Sequence, residues 1–272
     1  MGFSSYDALI AAASAGKIQE INFAKAMPVA GAAGVCVSLW EADSIPPAGG
    51  SGTSLVGRSC SPSTTGALYF ANPTAPDTLH LVNAQAFASA ANLGSLVLYD
   101  RLVDVGGISM STTSPQAITM STLPRYADGA GVQMFLEVTT TISGTPVFTI
   151  DYTDQDGNAA TTPSLTCAAN GTGRFAYSSQ VYIPLALGDT GVRSVDEITL
   201  SSAGSAGVAR LVLAKPIATL PLLAAASVTE KDYVTQTPKL PQLHDNHCLG
   251  LFLFCSGTTT GTIYGQLLAA AG

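Results

Sequence analysis

From residue 29 onward the chain is written in short β-prone runs, each cut off by a cluster of turn residues, and helical periodicity is absent. Such a pattern confines the fold to an all-β architecture, because strand side chains alternate between two faces while a helix repeats every 3.6 residues. The runs fall at residues 35–40, 68–70, 96–102, 132–141, 147–152, 174–183, 194–200, 208–214, 249–254 and 260–267. Their spacing predicts a β-sandwich, jelly-roll-like in its connections. The clearest hairpin carries residues 148–153 into Asp154-Gln155-Asp156-Gly157-Asn158, whose glycine tolerates positive φ. Residues 44–62, rich in Pro, Gly and Ser, read as a surface excursion.

One stretch reads as helix. Ser5 is placed to cap, Asp7 lies in the favourable first turn, and an Ala/Leu/Ile run over residues 8–15 stops at Gly16-Lys17. A helix this short is marginal alone, so it must dock on its own core or on a neighbouring copy. The expected organisation is an N-terminal helical arm over residues 1–25 and one elaborated β-sandwich domain over residues 26–272. Neither a low-complexity linker nor an internal repeat divides the latter.

Charge is scarce: Lys+Arg total 11 and Asp+Glu 18, so 11% of 272 residues are charged where roughly 25% is usual. The surface must then be built from Ser, Thr, Gly and Ala. A net charge of −7 with scattered basic residues argues against nucleic acid as a partner, since affinity for phosphates comes from clustered Lys and Arg. Unbroken apolar runs stop short of the ~18–20 residues of a spanning helix, so no membrane partner is expected, and the N-terminus shows no secretory signal. Five cysteines, an odd number without a C-x-x-C pair, read as buried reduced thiols with no essential disulfide.

Metal-ligating residue types gather once, in His244-Asp245-Asn246-His247-Cys248 with Cys255 beyond. The H-x-x-H-C spacing fits no familiar finger. Residues seven apart in a strand face opposite sides, so Cys248 and Cys255 do not meet one ion. A polar loop entering a core strand is the expected reading, with no metal ligand assigned. Asp151, Asp154, Asp156 and Asn158 open like a calcium loop, yet the distal Glu is missing and residues 159–163 supply no acid, which favours a turn. His80 lies in an alternating strand-like stretch and reads as structural, and Trp40 reads as core. With no G-x-S-x-G, phosphate loop or dinucleotide fingerprint present, the chain is expected to be no enzyme, with no catalytic residue and no cofactor.

Several phrases together resemble a family of tailed-bacteriophage virion structural proteins. They are Gly2-Phe3-Ser4-Ser5-Tyr6-Asp7, Leu98-Tyr99-Asp100-Arg101-Leu102 with Gly106-Gly107-Ile108-Ser109, and Leu123-Pro124-Arg125-Tyr126 leading into Phe135-Leu136-Glu137-Val138-Thr139. Gly191-Val192-Arg193-Ser194-Val195 and residues 216–223 complete the set. The resemblance spans nearly the whole chain and implies a non-enzymatic head protein, of decoration, cement or minor capsid type. The alternatives are a receptor- or glycan-binding β-module of a head or tail fibre, or a tail or connector protein. Independently, a surface poor in charge lowers the repulsion between copies packed at fixed spacing. An acidic chain is also disfavoured beside packaged DNA, so the outer head surface of the virion is the expected location, after assembly in the host cytoplasm. The expected partners are the major capsid protein and further copies of the chain in a closed homo-oligomer, a trimer first.

Overall fold

The computed structural model describes residues 3, 5–50, 52–90, 94–168, 171–237, 239–258 and 260–272; Met1, Gly2 and Ser4 of the N-terminal segment lie outside the described residues. The N-terminal helix is present as α1 (Tyr6–Ser14). Ser5 Oγ accepts from the Ala8 amide at 3.2 Å. The end is a Schellman turn in which Lys17 N donates to Ala12 O and Gly16 N to Ala13 O, with Gly16 at φ +71°. Only Ala12 of this helix is buried.

Twelve strands of four residues or more follow among the described residues. They are β1 (Ile18–Ala26), β2 (Val35–Ser38), β3 (Leu79–Ala88), β4 (Gly94–Ser109), β5 (Gln133–Ser143) and β6 (Val147–Asp154), then β7 (Arg174–Ser178), β8 (Val192–Ser202), β9 (Ala206–Leu222), β10 (Thr229–Asp232), β11 (Leu249–Cys255) and β12 (Thr262–Ala271). A second, one-turn helix, α2 (Tyr233–Gln236), follows β10. The chain is therefore all-β with a short N-terminal helix. Within residues 1–25 the helix occupies only part: from Ile18 the chain is β1, paired with β12 over nine positions from Ile18↔Ala270 to Ala26↔Thr262. The inward side of β1 carries Ile21 and Phe23 but also Lys25, whose ammonium is buried against the carbonyls of Ala42 (3.0 Å) and Pro46 (2.6 Å). That single cation blurs the strand pattern in the sequence.

The strands form three sheets. One runs β10-β3-β12-β1 and ends at the short strand Ser44–Ile45. A second runs β9-β5-β7-β2-β11-β4, and β4 pairs back onto β9, closing a six-stranded barrel. In the third, β6 and β8 are flanked by the short strands Ala159–Thr161 and Gln116–Ala117. The sandwiching is thus that of open sheets against a barrel. Leu96 and Leu98 of β4, Leu249, Leu251 and Leu253 of β11 and Leu220 of β9 share a core with Leu79, Leu81, Ile263 and Leu267 of the first sheet. Phe148, Ile150, Ile198 and Leu200 of the third sheet join a core with Met134, Leu136, Leu211 and Leu213 of the barrel.

Strands β4 and β9 are 16 and 17 residues long, which lets each serve both cores. β9 contains Pro216 and Pro221, residues that a doubly paired strand rejects because they lack an N–H. Its pairing with β5 ends at Ala214↔Gln133, so both prolines fall where β9 has, among the described residues, β4 alone as ladder partner. Near the other end of β4, Gly106 packs so closely on the backbone of Gly52 that a Cβ there would lie 1.6 Å from the Gly52 carbonyl oxygen. Residues 44–62, read as a surface excursion, run largely at the surface but are pinned at several points. Ser44–Ile45 pairs with β1, Arg58–Ser59 pairs with β4, and Gly49 lies on the Trp40 indole. Among the described residues no helix is long and apolar enough to cross a membrane.

Candidate functional site

Alternation places Tyr99 and Arg101 of β4, Phe135 and Glu137 of β5, and Ser38 of β2 on the inward side of the barrel. One part of the interior is aromatic: Phe135 stacks on Phe175 at 4.5 Å and meets Tyr99 edge-on at 5.3 Å. The adjoining part is ionic. Glu137, fully buried, accepts from Arg101 Nη2 at 3.1 Å, from Arg210 Nε at 2.8 Å and from Ser38 Oγ at 2.6 Å. Arg210 also pairs with Glu41. Arg101 lies 3.5 Å from Asp104, and its guanidinium covers the Trp40 ring at 4.6 Å. Asp104 is held in turn by Arg58 through two hydrogen bonds of 2.7 and 3.2 Å.

Asp100, on the other face of β4, is clamped by Arg125 at 2.7 and 2.8 Å and accepts from the Cys248 amide at 2.9 Å. The same guanidinium donates to the carbonyls of Arg101 and Cys60, tying three segments together. Four of the six arginines and four carboxylates are thereby matched one for one inside or at the rim of the barrel. Burial alone pushes the Glu137 carboxyl up, but the guanidiniums of Arg101 and Arg210 outweigh it and hold the group down at about 2. Glu41 moves the other way, raised by burial despite Arg210.

The His244–Cys248 segment has its own accounts. His247 Nε2 accepts from the Phe70 amide at 3.0 Å, which puts the ring proton on Nδ1, 2.9 Å from the His244 carbonyl oxygen. Burial lowers the pKa of this imidazole, and both nitrogens are engaged by backbone. The His244 ring sits edge-on to Tyr126 at 4.5 Å. Cys248 packs with Cys60 and Trp40, whereas Cys255 belongs to the core under the first sheet. All five cysteines are free and buried. Among the described residues no three His, Cys, Asp or Glu side chains gather to hold a metal. Metal analysis of the purified protein is expected to return no stoichiometric zinc; one zinc per chain, lost on replacing His247 or Cys248, would reverse that reading.

The Asp154 carboxylate accepts from the amides of Asp156 and Asn158, both at 2.8 Å, and these bonds, Asn158 first, lower its pKa. Asp151 accepts from Thr161 Oγ1 at 2.6 Å. The oxygens that would have wrapped a cation close a hairpin turn, with Gly157 at φ +87°. His80 is buried in β3 with its ring against Phe3 at 5.8 Å, and Trp40 is 1% exposed. The ionic set of Arg101, Glu137 and Arg210 was not singled out from the sequence. Its signal was there: one charge inside an otherwise apolar strand, as in Phe135-Leu136-Glu137-Val138 and Ala209-Arg210-Leu211, requires a buried partner of opposite sign.

No family model matches the chain, and no curated protein matches it. Among solved structures it is similar to one described as the structure of infectious bursal disease virus Gt strain, at 10% identity, covering 94% of this chain and 81% of that one, with a TM-score of 0.16. It is similar also to the infectious bursal disease virus VP2 subviral particle, at 10% identity, covering 93% and 80%, with a TM-score of 0.18. At these TM-scores the likeness fixes neither the fold nor the role of the chain.

Proposed function

We propose that this chain is a non-enzymatic structural protein of a tailed-bacteriophage virion, seated on the outer head surface as a decoration, cement or minor capsid component. Its partners are the major capsid protein and further copies of itself in a closed, trimeric ring. The observation that carries the reading is where the phrases of the resemblance fall. Asp100 and Arg101, Arg125, and Glu137 come from three of those phrases, far apart in sequence, and all enter the ionic network of the barrel. Gly106 and Gly107, from the same set, form the close approach of β4 to residues 52–54. The phrases that carry the resemblance supply residues of the scaffold, which supports a protein whose work is to hold shape.

Confining so much charge to the interior leaves an outer surface poorer in charge than the composition suggests, which favours dense packing of copies. Large apolar side chains stand free on it, among them Ile10 of α1, Leu187 and Leu223. These suit interfaces made by apolar contact and hydrogen bonds. Electron cryo-microscopy of the intact particle is the test: density for the barrel is expected on the outside of the head, around threefold or quasi-threefold positions. Release from particles should vary only weakly with salt, because ion pairs contribute little to the contact. Density on the tail or in the head interior, or steep release as ionic strength rises, would defeat the assignment.

A further inference from the structure

The face of the first sheet turned away from the barrel carries a groove of about 560 Å³, within the ~300–1,000 Å³ range of small-ligand sites. Its floor follows from register. Tyr264 of β12 stands between Phe87 of β3 and Ala24 of β1, and Ala24 is opposite Ile45. The Phe87 and Tyr264 rings stack at 5.1 Å with 17° between their planes, while Ala24 leaves a hollow beside them. Ile45, 62% exposed, and Val228, 60% exposed, wall the two ends.

One step along the strands lies a row of amides, Asn22, Gln266 and Gln85, opposite one another in the same register. Gln85 Nε2 donates to Gln266 Oε1 at 2.7 Å; Gln266 Nε2 and Asn22 Nδ2 both donate to Glu20, at 2.7 and 2.8 Å. Gln266 Nε2 also reaches Asn22 Oδ1 at 3.4 Å; these bonds fix the row in place, and since a primary amide has two N–H donors, Asn22 and Gln85 each keep one to offer.

We propose that the groove binds a neutral glycan, with a pyranose ring lying on the Phe87/Tyr264 pair and its hydroxyls on the Asn22, Gln266 and Gln85 amides. The C–H face of a sugar ring matches an aromatic surface, and its hydroxyls, each donor and acceptor, match carboxamides. Among the described residues no Lys, Arg or His lines the groove, a lining that offers no cation to a phosphate, sulfate or sialic carboxylate. Eleven described residues line it, against the ~20–30 that each side of a standard protein interface contributes, which favours a short oligosaccharide over a folded partner. This site stands independently of where in a virion the chain is seated.

The test is an array of immobilised oligosaccharides, uncharged ones with hexose and N-acetylhexosamine termini beside sialylated and sulfated ones, probed with the full chain. Saturation-transfer NMR with the retained sugars would follow. Wild type and an Asp196→Ala control, altered at an exposed position of β8 in the third sheet, should bind alike. Tyr264→Ala and Gln266→Ala should each weaken binding by about tenfold while remaining folded and cooperatively unfolding at the binding temperature. Failure of the wild type to retain any neutral glycan, undiminished binding by Tyr264→Ala, or retention of charged glycans only would each overturn the proposal. So would self-association of the wild type that Tyr264→Ala abolishes, since the groove would then be a contact between copies.

Discussion

Replacing Glu137 with alanine should destabilise the protein by about 3–5 kcal/mol, the usual consequence of removing one partner from a buried ion pair. The cost comes less from lost attraction than from what stays behind. Arg101 and Arg210 are each fully buried, and without the carboxylate two guanidiniums remain in the barrel interior against the two carboxylates of Asp104 and Glu41, the first shared with Arg58. Urea unfolding of Glu137→Ala, Arg210→Ala and the double variant separates the effects. The double variant should lose clearly less than the sum of the singles, because removing Arg210 relieves the excess charge that Glu137→Ala creates. A Glu137→Ala protein within ~0.5 kcal/mol of wild type, the range of an ordinary surface substitution, would show that water or rearrangement compensates the site.

Acid should unfold the protein through the same residue. The Glu137 carboxyl is lowered from the ordinary 4.5 to about 2 in the folded state, so its contribution is complete above about 4.5 and is lost as pH falls toward 2. Each unit of that interval is worth up to ~1.4 kcal/mol, giving a loss on the order of 3 kcal/mol across the window. Asp154, lowered by the amides of its turn, acts in the same direction, whereas Glu41, raised by burial, acts against it. Urea midpoints are expected to decline gently below about pH 6.5, because burial keeps His80 and His247 neutral in the folded state while they take up protons in the unfolded one, and then to fall steeply below about 4.5. In Glu137→Gln the whole curve should lie lower and slope less below 4.5. Equal slopes in wild type and Glu137→Gln would remove Glu137 as the origin of acid sensitivity.

Strands such as β4, β5 and β11 were legible because apolar β-formers crowd both of their faces, as in Leu96-Val97-Leu98-Tyr99 and Leu251-Phe252-Leu253-Phe254. β3 was visible only around His80, since its inward positions 84, 86 and 88 are alanines, small enough for the tight contact with β12 but neutral as a strand signal. The closed barrel could not be read at all. Alternation tells which side chains share a face, but which strand lies beside which is decided by pairings such as Leu211↔Val105, between residues far apart in the chain. The groove escaped for the same reason: Asn22, Gln85 and Gln266 become a row only once β1, β3 and β12 are neighbours.

The placement of β11 has a bearing on how the protein comes to be folded. β11 sits between β2 and β4, joining Leu253 to Val37 and to Leu96, and β12 likewise sits between β1 and β3. Neither the barrel nor the first sheet is therefore complete until residues 249–271 have left the ribosome, more than two hundred residues after β1 and β2. Until then four open strand edges wait at the heart of the molecule, those of β2 and β4 in the barrel and of β1 and β3 in the first sheet. Pairings so distant in sequence are slow to form, and waiting edges invite pairing with other chains. A nascent chain of this design gains protection late and all at once, so a stop codon before residue 249 leaves no partial domain behind, only an unclosed sheet exposed to aggregation and proteolysis.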